Sequence, residues 1–157
     1  MEYIAVLDCG TTNSRLYVLD GDFRTVAVGS RKVGVKDTIL LGHTGFKEGL
    51  SELFYETIGN AGLNTESIRL LLAYGMITSE LGLLEVPHMW APAGLDELVN
   101  NVKVVRDPDV FPPDVPVVFV RGIKNRYGPD AGLECLRTLD FLRGEETQIM
   151  GLLRDNP

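Results

Sequence analysis

Cysteine, histidine and tryptophan are scarce in this 157-residue chain, which holds two Cys, two His and one Trp. Cys9 and Cys135 lie far apart and form no C-x-x-C pair. That excludes a disulfide scaffold and fits a reducing, cytoplasmic compartment. His43 and His88 stand alone without metal-ligand spacing, so each is expected to be a structural or surface residue. No apolar run approaches the ~20 residues that a helix needs to span a bilayer. The chain starts without a basic segment leading into an apolar, cleavable one, so neither a membrane partner nor a signal peptide is expected. Positive charge is also short, with 15 Lys and Arg against 22 Asp and Glu and a net charge of -7. The basic residues form no stripe beyond Arg31-Lys32 and Lys124-Asn125-Arg126, and a nucleic-acid partner is not expected. Acidity does not exclude an anionic ligand, because backbone N–H groups and a bound cation can hold phosphate without net positive charge.

What is present is an ordinary core-forming composition, 45% apolar and 24% charged, of a size that fits one domain. Tyr3 to Asp8 and Ser14 to Asp20 are short strand-like runs joined by a Gly10–Asn13 turn. Gly21-Asp22 is a hairpin turn leading to a third strand over Thr25–Val33. Gly34 to Gly45 is expected to be loop, because glycines stand at 34, 42 and 45. Phe46, Leu50, Leu53, Phe54 and Ile58 then recur at helical spacing. Ile68 to Tyr74 is almost wholly apolar, as in a strand covered on both faces. A turn with a short helix over Gly75–Leu84, a loop over Val86–Gly94 and a helical turn over Leu95–Asn101 follow. Val102–Val105 and Val115–Val120 are further strands. Gly122 to Gly132 is a polar loop, and Leu133–Leu142 is ambiguous. Glu145–Leu153 is a helix whose first-turn carboxylates suit its dipole. The order βββαβ, then strands and a late helix, fits an α/β fold with a mixed central sheet and flanking helices.

Three segments carry candidate chemistry. In Asp8-Cys9-Gly10-Thr11-Thr12-Asn13-Ser14-Arg15, a carboxylate at a strand end precedes a tight turn with two hydroxyls and exposed N–H groups. Gly10 lets the backbone approach a phosphate, and Asp8 suits a magnesium ion that keeps its waters. The same residues are equally compatible with a plain Asx-type hairpin turn. In Arg143-Gly144-Glu145-Glu146-Thr147-Gln148, the paired carboxylates are either dipole complements or a general base aimed at a substrate hydroxyl. Gly75-Met76-Ile77-Thr78-Ser79-Glu80-Leu81-Gly82 follows a buried strand, where open α/β sheets place ligands. It also serves as a simple connection, with Thr78 or Ser79 as a cap. Cys9 is expected to be a small packing residue, and Trp90, close to His88, is a candidate for lining a sugar site.

DCGTTNSRLYVLD resembles the first phosphate motif of the actin/hexokinase/chaperone ATPase superfamily. GMITSELG, PAG and RGEETQIMG, in that order, are similar to the 2-keto-3-deoxygalactonokinase family over Tyr3 to about Leu153. The resemblance implies a ribonuclease H-like (actin-like ATPase) domain and transfer of phosphate from ATP, with Mg²⁺, to the 6-position of 2-dehydro-3-deoxy-D-galactonate. It implies Asp8 at the metal or its waters, and Gly10, Thr11 and Thr12 at the phosphates. Glu145 or Glu146 is implied as the base, Glu145 being preferred because it follows Gly144. Asn13, Arg15 and Ser79 are implied sugar-acid contacts. Such kinases have a second half with its own phosphate loop, which nothing here matches. The expectation is therefore a single N-terminal domain over 1-157, with the C-terminal domain as an absent partner and little turnover alone. Two other readings share the first motif: an exopolyphosphatase-type phosphohydrolase and an actin-like nucleotide-switched scaffold. The oligomeric state, homodimer included, stays open.

Overall fold

The computed structural model describes residues 1–126 and 140–155, with the side chains of Arg154 and Asp155 excepted. Cys135, most of the ambiguous 133–142 stretch and the end of the 122–132 loop lie outside the described residues. Three strands open the chain: β1 (Tyr3–Cys9), β2 (Ser14–Leu19) and β3 (Thr25–Arg31). Then come α1 (Lys36–Asn60), β4 (Ile68–Gly75), β5 (Met89–Trp90), α2 (Leu95–Asn100), β6 (Lys103–Val105) and β7 (Val117–Phe119). β8 (Ile123–Lys124), β9 (Phe141–Leu142) and α3 (Glu145–Asp155) complete the described elements.

Six strands form one sheet in the order β3-β2-β1-β4-β7-β6. β1 runs antiparallel to β2 and parallel to β4, and β4 runs parallel to β7. This meander continued by parallel strands is the ribonuclease H-like arrangement expected from the sequence. β1 alternates as a strand with two distinct faces must. Ala5, Leu7 and Cys9 are buried with Leu16, Val18, Leu71 and Ala73 against Phe46, Leu50, Leu53, Phe54 and Ile58 of α1. On the other face Val6, Leu72 and Tyr74 meet Leu98, Val120, Ile123 and Met150. A second sheet, β5-β8-β9, has three strands of two residues each.

Two expectations are corrected. The 34–45 stretch is not loop, because α1 begins at Lys36 and only Gly42 leaves helical geometry, at φ 74° and ψ 172°. The helix starts there because Asp37 Oδ2 accepts the Gly34 N–H at 2.9 Å, while Val35 and Lys36 N–H bond back to the Gly10 and Thr11 carbonyls. The 86–94 and 122–132 loops likewise each hold a two-residue strand, Met89–Trp90 and Ile123–Lys124, paired in parallel.

Candidate active site

β1 and β4 run parallel and adjacent, so their carboxyl ends bring Asp8, Cys9, Tyr74 and Gly75 together. Gly75 sits at φ 86°, and a Cβ on it would come within 2.6 Å of the Cys9 carbonyl oxygen. Gly144 meets it from the other side at φ 117°, where a Cβ would lie 3.2 Å from Gly75 Cα. Two glycines therefore let the start of α3 press against the strand ends. The result is a cleft of about 250 Å³ lined by Asp8, Gly10, Thr11, Gly75, Arg143 and Glu145, among others. A second cavity of about 330 Å³ is lined by Asp8, Gly10, Thr11, Thr12, Asn13 and Arg15. Asp8, Gly10 and Thr11 face both.

The N-terminal turn is braced from behind. Gly10 N–H donates to Asn13 O at 2.9 Å, and the Gly10 and Thr11 carbonyls accept from Val35 and Lys36 at 3.2 and 3.1 Å. Gly34 packs so tightly behind it that a Cβ would lie 2.4 Å from the Thr11 carbonyl. The carbonyls are thereby drawn toward α1. The Thr11 and Thr12 N–H groups have no hydrogen-bond partner among the described residues, the pattern of a backbone anion cradle.

The two glutamates at the head of α3 differ in placement. Glu146 is 2% exposed, and its Oε2 accepts the Gly144 N–H at 2.7 Å. Burial raises its pKa, against the backbone and Thr147 hydrogen bonds that lower it. Glu145 is exposed and lines the cleft, with Oε2 accepting the Arg143 N–H at 3.1 Å. Asp8 is partly buried. Desolvation raises its pKa, while Arg15 opposite it and a hydrogen bond from Tyr74 lower it, and the Glu145 charge adds to the rise. Burial raises the Tyr74 pKa in turn, and hydrogen bonding with Gln148 lowers it. Burial pushes the Cys9 thiol up to about 11. With its side chain buried at 0% exposure, it is a packing residue and no nucleophile at neutral pH.

Ser79 stands apart from both cavities. Its hydroxyl donates to the Met76 carbonyl at 2.7 Å, and the buried Thr78 hydroxyl donates to Gly75 O at 3.1 Å. Gln148 and Arg143 line the cleft and Tyr74 ends β4 beside Gly75, and sequence reasoning singled out none of the three. Arg143 donates through Nη1 to Thr78 O at 2.6 Å, Thr78 Oγ1 at 2.5 Å and Val86 O at 3.2 Å, and its Nη2 lies 3.1 Å from His88 Nδ1. It ties the 76–88 segment to the head of α3. Their position inside otherwise motif-like segments was the available signal. No group of three or more His, Cys, Asp or Glu side chains able to hold a metal occurs among the described residues. No helix among them is long and apolar enough to cross a membrane.

A strand-end carboxylate, a braced N–H turn and a helix-borne carboxylate converging on one cleft are parts suited to phosphoryl transfer. The fold is shared with a protein from Sinorhizobium meliloti assigned as a 2-dehydro-3-deoxygalactonokinase, at a TM-score of 0.72 and 21% identity. That match covers 99% of this chain and 44% of the other, so this chain spans less than half the length of that protein. A reductive activator for a corrinoid, iron-sulfur protein matches with a TM-score of 0.51 and 12% identity, over 75% of this chain and 22% of that one. No curated protein matches the sequence. The family model described as 2-keto-3-deoxy-galactonokinase matches residues 8–157, from the cleft carboxylate of β1 to the end of the chain, and the chain belongs to that family.

Proposed function

We propose that this chain is the sugar-acid-binding part of a cytoplasmic kinase that transfers phosphate from ATP to the 6-hydroxyl of 2-dehydro-3-deoxy-D-galactonate, a step of galactonate breakdown. Residues 1-157 are a single N-terminal domain, and a C-terminal domain closes over the cleft with the nucleotide between them. The observation that carries this reading is the meeting of Asp8, Gly10, Thr11 and Glu145 on one cleft at the ends of two parallel strands.

The cleft suits Mg-ATP by its donor set. The Thr11 and Thr12 N–H groups offer donors to phosphate oxygens, and Asp8 offers one partly buried carboxylate to a hydrated cation. Mg²⁺ keeps several waters and needs one or two carboxylates besides the phosphates, so the absence of a larger acidic cluster among the described residues is no obstacle. When bound, the ion would neutralise charge on the transferring phosphate. Glu145 is the base. Its carboxylate is exposed to the cleft and held at one oxygen by the Arg143 N–H, so the acceptor hydroxyl can give its proton to the other. Glu146 caps the backbone of Gly144 and keeps the Glu145 geometry. Asn13 and Arg15 line the second cavity and steady ligand groups that reach past the turn.

Two measurements test the reading. Thermal shifts of the chain are taken with the sugar acid, its gluconate epimer and Mg-ATP in turn. A ligand of the folded state at ~100 times its dissociation constant should stabilise it by about 2.7 kcal/mol. A shift with the galactonate derivative is expected, and no shift with either sugar acid removes this substrate assignment. In the full-length kinase, Glu145→Gln should lower kcat by about 100-fold or more with little change in sugar-acid affinity. Glu146→Gln should instead lower the melting temperature. Unimpaired turnover in Glu145→Gln would move the base elsewhere.

A further inference from the structure

The small sheet beside the cleft has a face that the reading above does not use. Its register places Trp90 beside Lys124 and Lys124 beside Phe141, one row across three strands. The neighbouring row, Met89, Ile123 and Leu142, points to the opposite face, where Met89 and Ile123 are buried. Trp90 and Phe141 are 46% and 54% exposed. The Lys124 Nζ lies 4.2 Å from the centre of the Trp90 ring, so the indole face orients the ammonium without neutralising it. Continuing the register by one residue sets His88 beside Gly122 and Gly122 beside Arg143, on the Trp90 face. A Cβ on Gly122 would lie 2.8 Å from His88 Cδ2. Glycine there lets Arg143 and His88 meet across the middle strand. Arg143 also lines the cleft, so this face borders the site at that residue.

Its charge runs against that of the molecule. In a chain of net charge -7, the described part of 121–143 carries Arg121, Lys124, Arg126 and Arg143 against the one carboxylate of Asp140. None of these joins an ion pair among the described residues. The Arg121 Nε is buried with no hydrogen-bond partner among the described residues. Lys124, flanked by the exposed Trp90 and Phe141 rings, is suited to a ligand that is anionic at one end and apolar beside it. A 2-keto-3-deoxy acid has that shape: a carboxylate, a flat keto carbon and a CH₂ group in succession.

We propose that Trp90, Lys124 and Phe141 form the subsite that takes the carboxylate end of the sugar acid. Lys124 pairs with the carboxylate, and the two rings pack against the keto and methylene carbons. The far end of the substrate, with its 6-hydroxyl, then extends along Arg143 toward Glu145. This assignment rests on the sugar-acid kinase reading. It gives the carboxylate to Lys124, leaving Arg15 to face Asp8 across β1 and β2.

The test is calorimetric titration of the chain with 2-dehydro-3-deoxy-D-galactonate and with its C1 amide. Wild type should prefer the acid by about tenfold or more, the effect of one charge-assisted contact. Lys124→Met should bind acid and amide alike, Lys124→Arg should keep most of the preference, and Trp90→Ala should weaken both ligands. An unchanged melting temperature for Lys124→Met shows that the loss is not one of folding. If Lys124→Met keeps the wild-type preference, or Arg15→Met abolishes it, the subsite is overturned while the kinase reading stands. If wild type binds neither ligand, the sugar-acid reading falls and the subsite with it.

Discussion

His88 shows what a single side chain contributes at the edge of the site. Its Nδ1 faces the Arg143 guanidinium at 3.1 Å and its ring meets Phe141 edge-on at 5.9 Å. Burial lowers its pKa from 6.5, and the charges of Arg143 and Lys124 lower it further. As pH falls, the unfolded chain therefore takes up this proton before the folded one does, and stability is lost from about pH 6.5 downward. Asp8 and Glu146, with raised pKa values, act in the opposite sense. A comparison with His88→Gln cancels their share. Between about pH 7.5 and about pH 5.5, wild type should lose more stability than His88→Gln. Denaturant titrations at the two pH values check this, and parallel losses would show that the histidine is protonated in the fold. Gly144 is the second such residue. Alanine there meets Gly75 at φ 117° and should cost about 1–3 kcal/mol, read as a fall in melting temperature.

At the scale of elements, α1 carries most of one core. Phe46, Leu50, Leu53, Phe54 and Ile58 are each 2% exposed or less. Leu50→Ala should cost about 2–5 kcal/mol by leaving a cavity under the sheet, whereas Leu40→Ala, at a position 69% exposed, should cost under about 1 kcal/mol. Urea midpoints of the two variants decide between them. The same helix shows what the sequence discloses. Its second part was legible because five apolar residues recur at helical spacing. Its first part was not, because three glycines within twelve positions resemble a loop, while the hydrogen bonds that start the helix at Lys36 come from Gly10, Thr11 and Asp37. β1, β4 and α3 were legible from apolar runs and a first-turn carboxylate pair. The small sheet was not, since two-residue strands carry no period. Among candidate site residues, Asp8 and the Gly10–Thr12 turn were visible as a strand end and a turn. The difference between Glu145 and Glu146 was not, because it depends on the Gly144 backbone, which buries one carboxylate and exposes its neighbour.

Over the whole molecule, the cleft is assembled from residues 8–11, 75–76, 143–145 and 148, and its two walls touch at Gly75 and Gly144. The meander of β1, β2 and β3 closes by local pairing, while the head of α3 docks across nearly seventy positions of chain. Long-range contacts of that kind form late. Pulse-labelled hydrogen exchange during refolding should protect β1 and β2 amides before those of Thr147 and Gln148, which bond to the Gly144 carbonyl. Simultaneous protection would contradict this order. The glycine contact thus acts as a clock as well as a fit. If it closes after the main folding barrier, anything that later fills the cleft should prolong the life of the folded chain without hastening its birth.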